Sequence, residues 1–226
     1  MAAARLTAPL TLRHGDAASP RRRAAVLALA GGLLLAGCDR AAVPAGAGAS
    51  GQRPAFKAVD ITGATYAGKF SLPDADGQVR TLADFKGKVV VVFFGYTQCP
   101  DVCPTTMTEL AEVKRTLGDA GRDVVGIFVT VDPERDQPAL LKSYLANFGP
   151  DMVGLRGSPD QVREVAKEFK VFYSKVPGKT DTSYTVDHTA GSYVFDRQGR
   201  VRLFTRYGSG AKNLVDDLRI LLDQKG

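Results

Sequence analysis

Residues 88–106 read KVVVVFFGYTQCPDVCPTT. Lys88 to Phe94 is an almost unbroken apolar, β-branched and aromatic run, the composition of a strand buried on both faces. The run empties into a loop with two cysteines, Cys99 and Cys103, each followed at once by a proline. In α/β folds the carboxyl end of a strand is where ligands and chemistry collect. Two thiols separated by three residues can close a disulfide, act as a nucleophile and its resolving partner, or hold a metal.

Working outward, Pro104 suits the first position of a helix, where its missing N–H costs nothing. Leu110, Val113 and Leu117 then form a helical stripe that ends at Gly118. A residue before proline is biased away from helical geometry, so Cys103 is expected just before this helix, not inside it. Val124 to Val131 reads as a second buried strand. Pro138 opens a second helix, with Leu141, Tyr144, Leu145 and Phe148 inward. Residues 152–157, MVGLRG, form a short strand. Ser158 caps a third helix, with Pro159 at its first position and Val162, Val165, Ala166 and Phe169 inward. Residues 192–204 read as a hairpin around Asp196–Gly199, and Ala211 to Leu222 as a last amphipathic helix. Upstream, residues 70–82 form a hairpin turned by Asp74, Ala75, Asp76 and Gly77, and residues 84–87 a turn. This order predicts an α/β fold of thioredoxin type. It is a three-layer sandwich with a central mixed sheet, an N-terminal hairpin and an extra loop or β-hairpin at 171–187.

The N-terminus is of another kind. Five of the 30 Lys and Arg, but one of the 24 Asp and Glu, fall in residues 1–37. Without them the formal charge of +6 nearly disappears, which leaves no electrostatic reason to expect nucleic acid. Arg21–Arg23 precede a small and apolar run, Ala24 to Gly37, too short to span a bilayer but of the right length for a signal. The run ends in Leu35-Ala36-Gly37-Cys38, a pattern like a bacterial lipobox. Residues 1–37 are therefore expected to be a lipoprotein signal and Cys38 the lipidated residue. Residues 38–55, rich in Ala, Gly and Pro, are read as a flexible tether. Residues 56–226 are the folded domain.

With Cys38 taken by lipid, only Cys99 and Cys103 remain. A bridge between them would close almost no loop, so a purely structural staple gains little. Thiols near a helix N-terminus feel its positive end, which favours the thiolate and suits redox or metal chemistry alike. His188 is the one histidine of residues 38–226 and stands two residues before Ala190, where oxidoreductases of this fold usually carry a cis-proline. Two soft sulfurs and an imidazole suit copper, Cu(I) especially. Asp187 is expected to orient His188, and Met107 to be core. Asp132, Glu134, Arg135 and Asp136 read as turn and capping residues that can also shape the cysteine loop. Asp101 is expected to be solvated. Tyr96 and Thr97 are expected to shape the loop without chemistry of their own.

Three blocks, FGYTQCPDVCPTT, TVDPERD (130–136) and VDHTAGSYVFD (186–196), resemble the signature blocks of the Sco/SenC family, in the same order. The resemblance runs from about Phe70 to the C-terminus. It implies a membrane-anchored thioredoxin-like domain holding one copper ion, Cu(I) or Cu(II), through Cys99, Cys103 and His188. The implied role is assembly of the CuA site of cytochrome c oxidase. The partners would be the oxidase copper-site subunit, other periplasmic copper chaperones and thiol-disulfide reductases. Many members use a transmembrane helix where this chain has its lipobox, so the expected location is the bacterial cell envelope, through lipid. The alternative function is a thiol-disulfide reductase using Cys99 and Cys103 as a redox-active disulfide. A peroxidase reading of Thr97-x-Cys99 explains neither Cys103 nor His188.

Overall fold

The computed structural model describes residues 55–180 and 183–224. The expected signal, Cys38 and the expected tether up to residue 54 lie outside them. In chain order the strands and helices are β1 (Val59–Asp60), β2 (Leu72–Pro73), β3 (Val79–Arg80), β4 (Val89–Gly95), α1 (Val102–Thr116), β5 (Val124–Thr130) and α2 (Pro138–Ala146). There follow β6 (Met152–Leu155), α3 (Pro159–Glu168), β7 (Tyr173–Pro177), β8 (Tyr184–His188), β9 (Gly191–Phe195), β10 (Val201–Arg206) and α4 (Ala211–Asp223). None of these helices is long and apolar enough to cross a membrane.

Strand β4 is buried along its whole length and sits inside a six-stranded sheet of order β1-β10-β9-β4-β5-β6. It pairs parallel with β5 and antiparallel with β9, so the sheet is mixed as expected. From Val89 to Val92 its side chains alternate between two cores, as a pleated strand requires. Val89 and Val91 meet Leu110 and Val113 of α1 and Leu218 and Leu221 of α4. Val90, Val92 and Phe94 meet Leu141 of α2 and Val165 and Phe169 of α3. These are the two outer layers of a thioredoxin-like sandwich.

Local chemistry starts α2 at Pro138 and α3 at Pro159, where the sequence placed them. Ser158 and Gln161 form a reciprocal capping box at α3. Strands β2 and β3 form the N-terminal hairpin, turned through Gly77 at φ +82°, a conformation glycine adopts freely. The expected turn at 84–87 is a single 3-10 turn, Leu82–Phe85, running out at Gly87. In α2, Leu141 and Leu145 are buried and Tyr144 is half-buried, while Phe148, expected on the same helix, lies half-buried just beyond its end. The inserted segment is a hairpin, not an irregular loop. Strands β7 and β8 pair antiparallel from Tyr173 with His188 to Pro177 with Tyr184.

One buried acid escaped the pattern reading. Asp217, on the inner face of α4, accepts the amides of Lys57 and Ala58 at 2.7 and 2.8 Å and so ties the start of the domain to its last helix.

The β9–β10 turn is closed by another buried carboxylate, Asp196. It accepts the Gln198 and Arg200 amides at 3.0 Å and the side chains of Arg200 and Arg202. Burial opposes its ionisation, but the Arg200 and Arg202 bonds outweigh burial and hold its pKa below the ordinary carboxylate value. A depressed folded pKa gives stability that is complete above the unfolded value of about 3.9 and lost as pH falls through the folded one. Urea unfolding of the protein between pH 6 and pH 3 should therefore show stability declining below about pH 4. In Asp196→Asn the decline should be shallower, from a lower plateau. An identical pH profile in the variant would remove this role from Asp196.

Candidate metal centre

The end of β4 delivers the two thiols to different surroundings. Cys99 is part-exposed in the loop, and Cys103 is fully buried. They are not bonded to each other; the Cys103 amide donates to Cys99 Sγ at 3.4 Å. Helix α1 starts at Val102 with Asp101 as its N-cap, so Cys103 stands inside the first turn and not before it. Burial decides this. Cys103, Met107 and Leu110 lie on one helical face and are all buried, which outweighs the local bias set by Pro104. Proline itself is tolerated there because first-turn amides need no helical partner.

His188 ends β8 and brings its Nε2 to 3.4 Å from Cys103 Sγ. The ligand atoms of Cys99, Cys103 and His188 all lie within 4.8 Å of one another. His188 Nδ1 lies 3.2 Å from the Thr189 carbonyl oxygen. A carbonyl can only accept, so Nδ1 carries the proton and Nε2 faces the sulfurs with its lone pair. The expected Asp187–His188 bond is therefore replaced by a backbone contact. Neighbouring strand residues point to opposite faces, and Asp187 accordingly faces solvent. The imidazole meets the Phe93 and Tyr96 rings edge-on at 5.7 and 6.0 Å. A groove of about 320 Å³ bordered by Tyr96, Cys99, Asp101, Val186, His188 and Ala190 opens beside Cys99 and His188.

Burial pushes the His188 pKa down, which keeps the ring neutral. Burial also pushes the Cys103 thiol well up, with the Cys99 hydrogen bond adding to it. Proximity to the positive end of α1 was expected to favour the thiolate; at Cys103 desolvation outweighs it. Two neutral donors converge on part-exposed Cys99, and a soft cation can displace the thiol protons. The donor set fits copper. Met107 is core, as expected, and Asp101 is exposed.

The TVDPERD segment serves this loop more than it caps α2, whose N-cap, Gln137, makes no side-chain cap bond. Asp136 is buried; it accepts Thr97 N at 3.0 Å and both Thr97 Oγ1 and Thr130 Oγ1 at 2.6 Å. Burial pushes its pKa up against these bonds. Asp132 is also buried and pairs with Arg135. Gly95 was overlooked in the sequence. A Cβ there would sit 2.8 Å from Cys103 Sγ and 2.8 Å from the Phe93 ring, so the sulfur's site exists only beside a glycine. Tyr184, also overlooked, gives its hydroxyl to Asp132 at 2.8 Å.

Residues 59–223 match the SCO1/SenC family model. The chain belongs to the SCO1/SenC family. It is 36% identical over 153 residues to a SCO2-like protein of Rickettsia conorii, covering 67% of this chain and 75% of that protein. It also resembles the structure of Bradyrhizobium japonicum ScoI with copper bound, with TM-score 0.62 and 43% identity over 68% of this chain and 98% of that one. A SCO1/SenC family lipoprotein from Bacillus anthracis is similar at TM-score 0.59 and 25% identity, over 69% and 94% of the two chains.

Asp136→Ala should unfold at lower urea, by about 1–3 kcal/mol, because the Thr97 amide and two hydroxyls lose a buried acceptor. Iodoacetamide should also label Cys99 faster, since the loop is anchored at Thr97. An unchanged unfolding midpoint and labelling rate would show that Asp136 does not hold the loop.

Proposed function

We propose that this protein is a copper chaperone whose Cys99, Cys103 and His188 hold one copper ion, Cu(I) or Cu(II). The observation carrying this reading is the convergence of two sulfurs and one imidazole nitrogen within 4.8 Å at the sheet's chemical end. Family membership and the copper-bound ScoI relative support it. Cys99 and Cys103 supply soft sulfur donors, and the Thr189 carbonyl presents His188 Nε2. The open groove leaves room for an incoming ligand to reach the ion from Cys99's side, so transfer proceeds by ligand exchange. The recipient is the copper-site subunit of cytochrome c oxidase, with other periplasmic copper chaperones or thiol-disulfide reductases as further partners. The domain, residues 56–226, hangs on a tether, residues 38–55, from lipid on Cys38 after removal of residues 1–37. This places it at the bacterial cell envelope, and the Bacillus anthracis lipoprotein is a relative of that kind.

A second reading has its own support. Cys103 N–H already touches Cys99 Sγ, and both thiols are free. A thiol-disulfide reductase that keeps the oxidase cysteines reduced would use the same pair as a redox-active disulfide. The histidine separates the two readings, because disulfide exchange needs no third ligand.

The reduced domain should retain one copper per chain after dialysis against a mild chelator, measured by elemental analysis. Cys99→Ser or Cys103→Ser should lose stoichiometric retention. His188→Ala should weaken copper binding yet keep most disulfide exchange with a model peptide. Equal copper in the Cys99→Ser, Cys103→Ser double variant would refute the site.

Cys38→Ser should abolish incorporation of labelled fatty acid and processing of residues 1–37 in a bacterial host. A variant that still takes up label at its N-terminus would sink the lipid-anchor reading.

A further inference from the structure

The hairpin that carries His188 is a two-stranded sheet of its own, paired with no strand of the central sheet among the described residues. Four of the five β7 residues are exposed. A lone two-stranded hairpin is marginally stable in water, yet this one sets His188 Nε2 at hydrogen-bond distance from a buried sulfur. Something must fix it over the cysteines. At its base, the Thr189 amide donates to the Phe172 carbonyl at 2.9 Å. At the far end of β8 stands Tyr184.

We infer that Arg135 is a positioning residue that latches Tyr184 to the cysteine loop and thereby sets His188 as a ligand; this rests on the metal reading above. The guanidinium lies 3.6 Å from the Tyr184 ring centroid and 5.6 Å from that of Tyr96. Its Nη1 donates to the Tyr184 carbonyl at 2.9 Å and to Gln98 Oε1 at 3.3 Å. Its Nε bonds Asp132, which also accepts the Tyr184 hydroxyl at 2.8 Å. One planar cation thus grips both sides of the site: the loop at Tyr96 and Gln98, and the hairpin at Tyr184. Lysine cannot replace a stacked, forked group of this kind. Lys175 and Glu134 add a bridge at 2.6 Å, but both are about half exposed, and such pairs contribute little.

Tyr184, Val186 and His188 occupy alternate positions of β8 and share its inward face. The latch therefore lies one strand, roughly 13 Å, from the ligand, and the strand between them acts as a lever.

The experiment is a double-mutant cycle on the reduced domain, with copper affinity read by competition against a Cu(I) chelator. Arg135→Met should lower affinity about tenfold, the scale of losses when a ligand's supporting shell is removed. In a His188→Ala background it should change nothing, because the latch acts only through that ring. Hydrogen exchange of the 184–188 amides in the copper-free protein should be faster in Arg135→Met. If Arg135→Met fails to fold, Tyr184→Leu makes the same test and should give the same pattern. Equal affinity with and without the latch overturns the proposal. An equal loss in both backgrounds also overturns it, since Arg135 then acts through the cysteine loop. Should the unsubstituted domain hold no copper, the metal reading falls, and exchange alone decides whether Arg135 latches the hairpin.

Discussion

Cys103 is the most enclosed of the three donors. Its side chain is wholly buried between α1 and the sheet, and the absent side chain of Gly95 leaves room for its sulfur. Protein interiors are packed so that a misplaced methyl group is felt. This sulfur is therefore the fixed point of the site. Cys99, in a loop, and His188, on a separate hairpin, are the groups that come to it. A site with one rigid donor and two on adjustable segments can close on an ion and still release it.

The same burial sets the electrostatics. With Cys103 pushed towards its protonated form and His188 towards its neutral form, the site avoids burying net charge, which would be costly. A cation that enters takes over the role of the displaced thiol protons. The buried carboxylates Asp132 and Asp136 sit one layer further out. Each is spent on hydrogen bonds to loop and hairpin groups, Thr97 and Thr130 for one, Arg135 and Tyr184 for the other. They organise the donors without competing as donors themselves.

Much of this was legible in the sequence. The apolar run before Cys99 and the proline and capping signals at residues 104, 138 and 158 place the strands and helices, because burial on two faces and first-turn backbone chemistry are local constraints written residue by residue. Two sulfurs and a lone imidazole pointed to a soft cation on donor chemistry alone. Tertiary structure decided the rest. Cys103 joined the helix because packing of one helical face outweighed the bias from Pro104. Asp187 lost His188 to the Thr189 carbonyl because of which way a strand residue faces. TVDPERD holds the cysteine loop through Asp136, Gly95 leaves room for the Cys103 sulfur, and Tyr184 meets Asp132. Several of these assignments depend on contacts between residues far apart in the chain, Thr97 with Asp136 and Asp132 with Tyr184 among them, and no periodicity or spacing along the chain encodes which side chain lies opposite which.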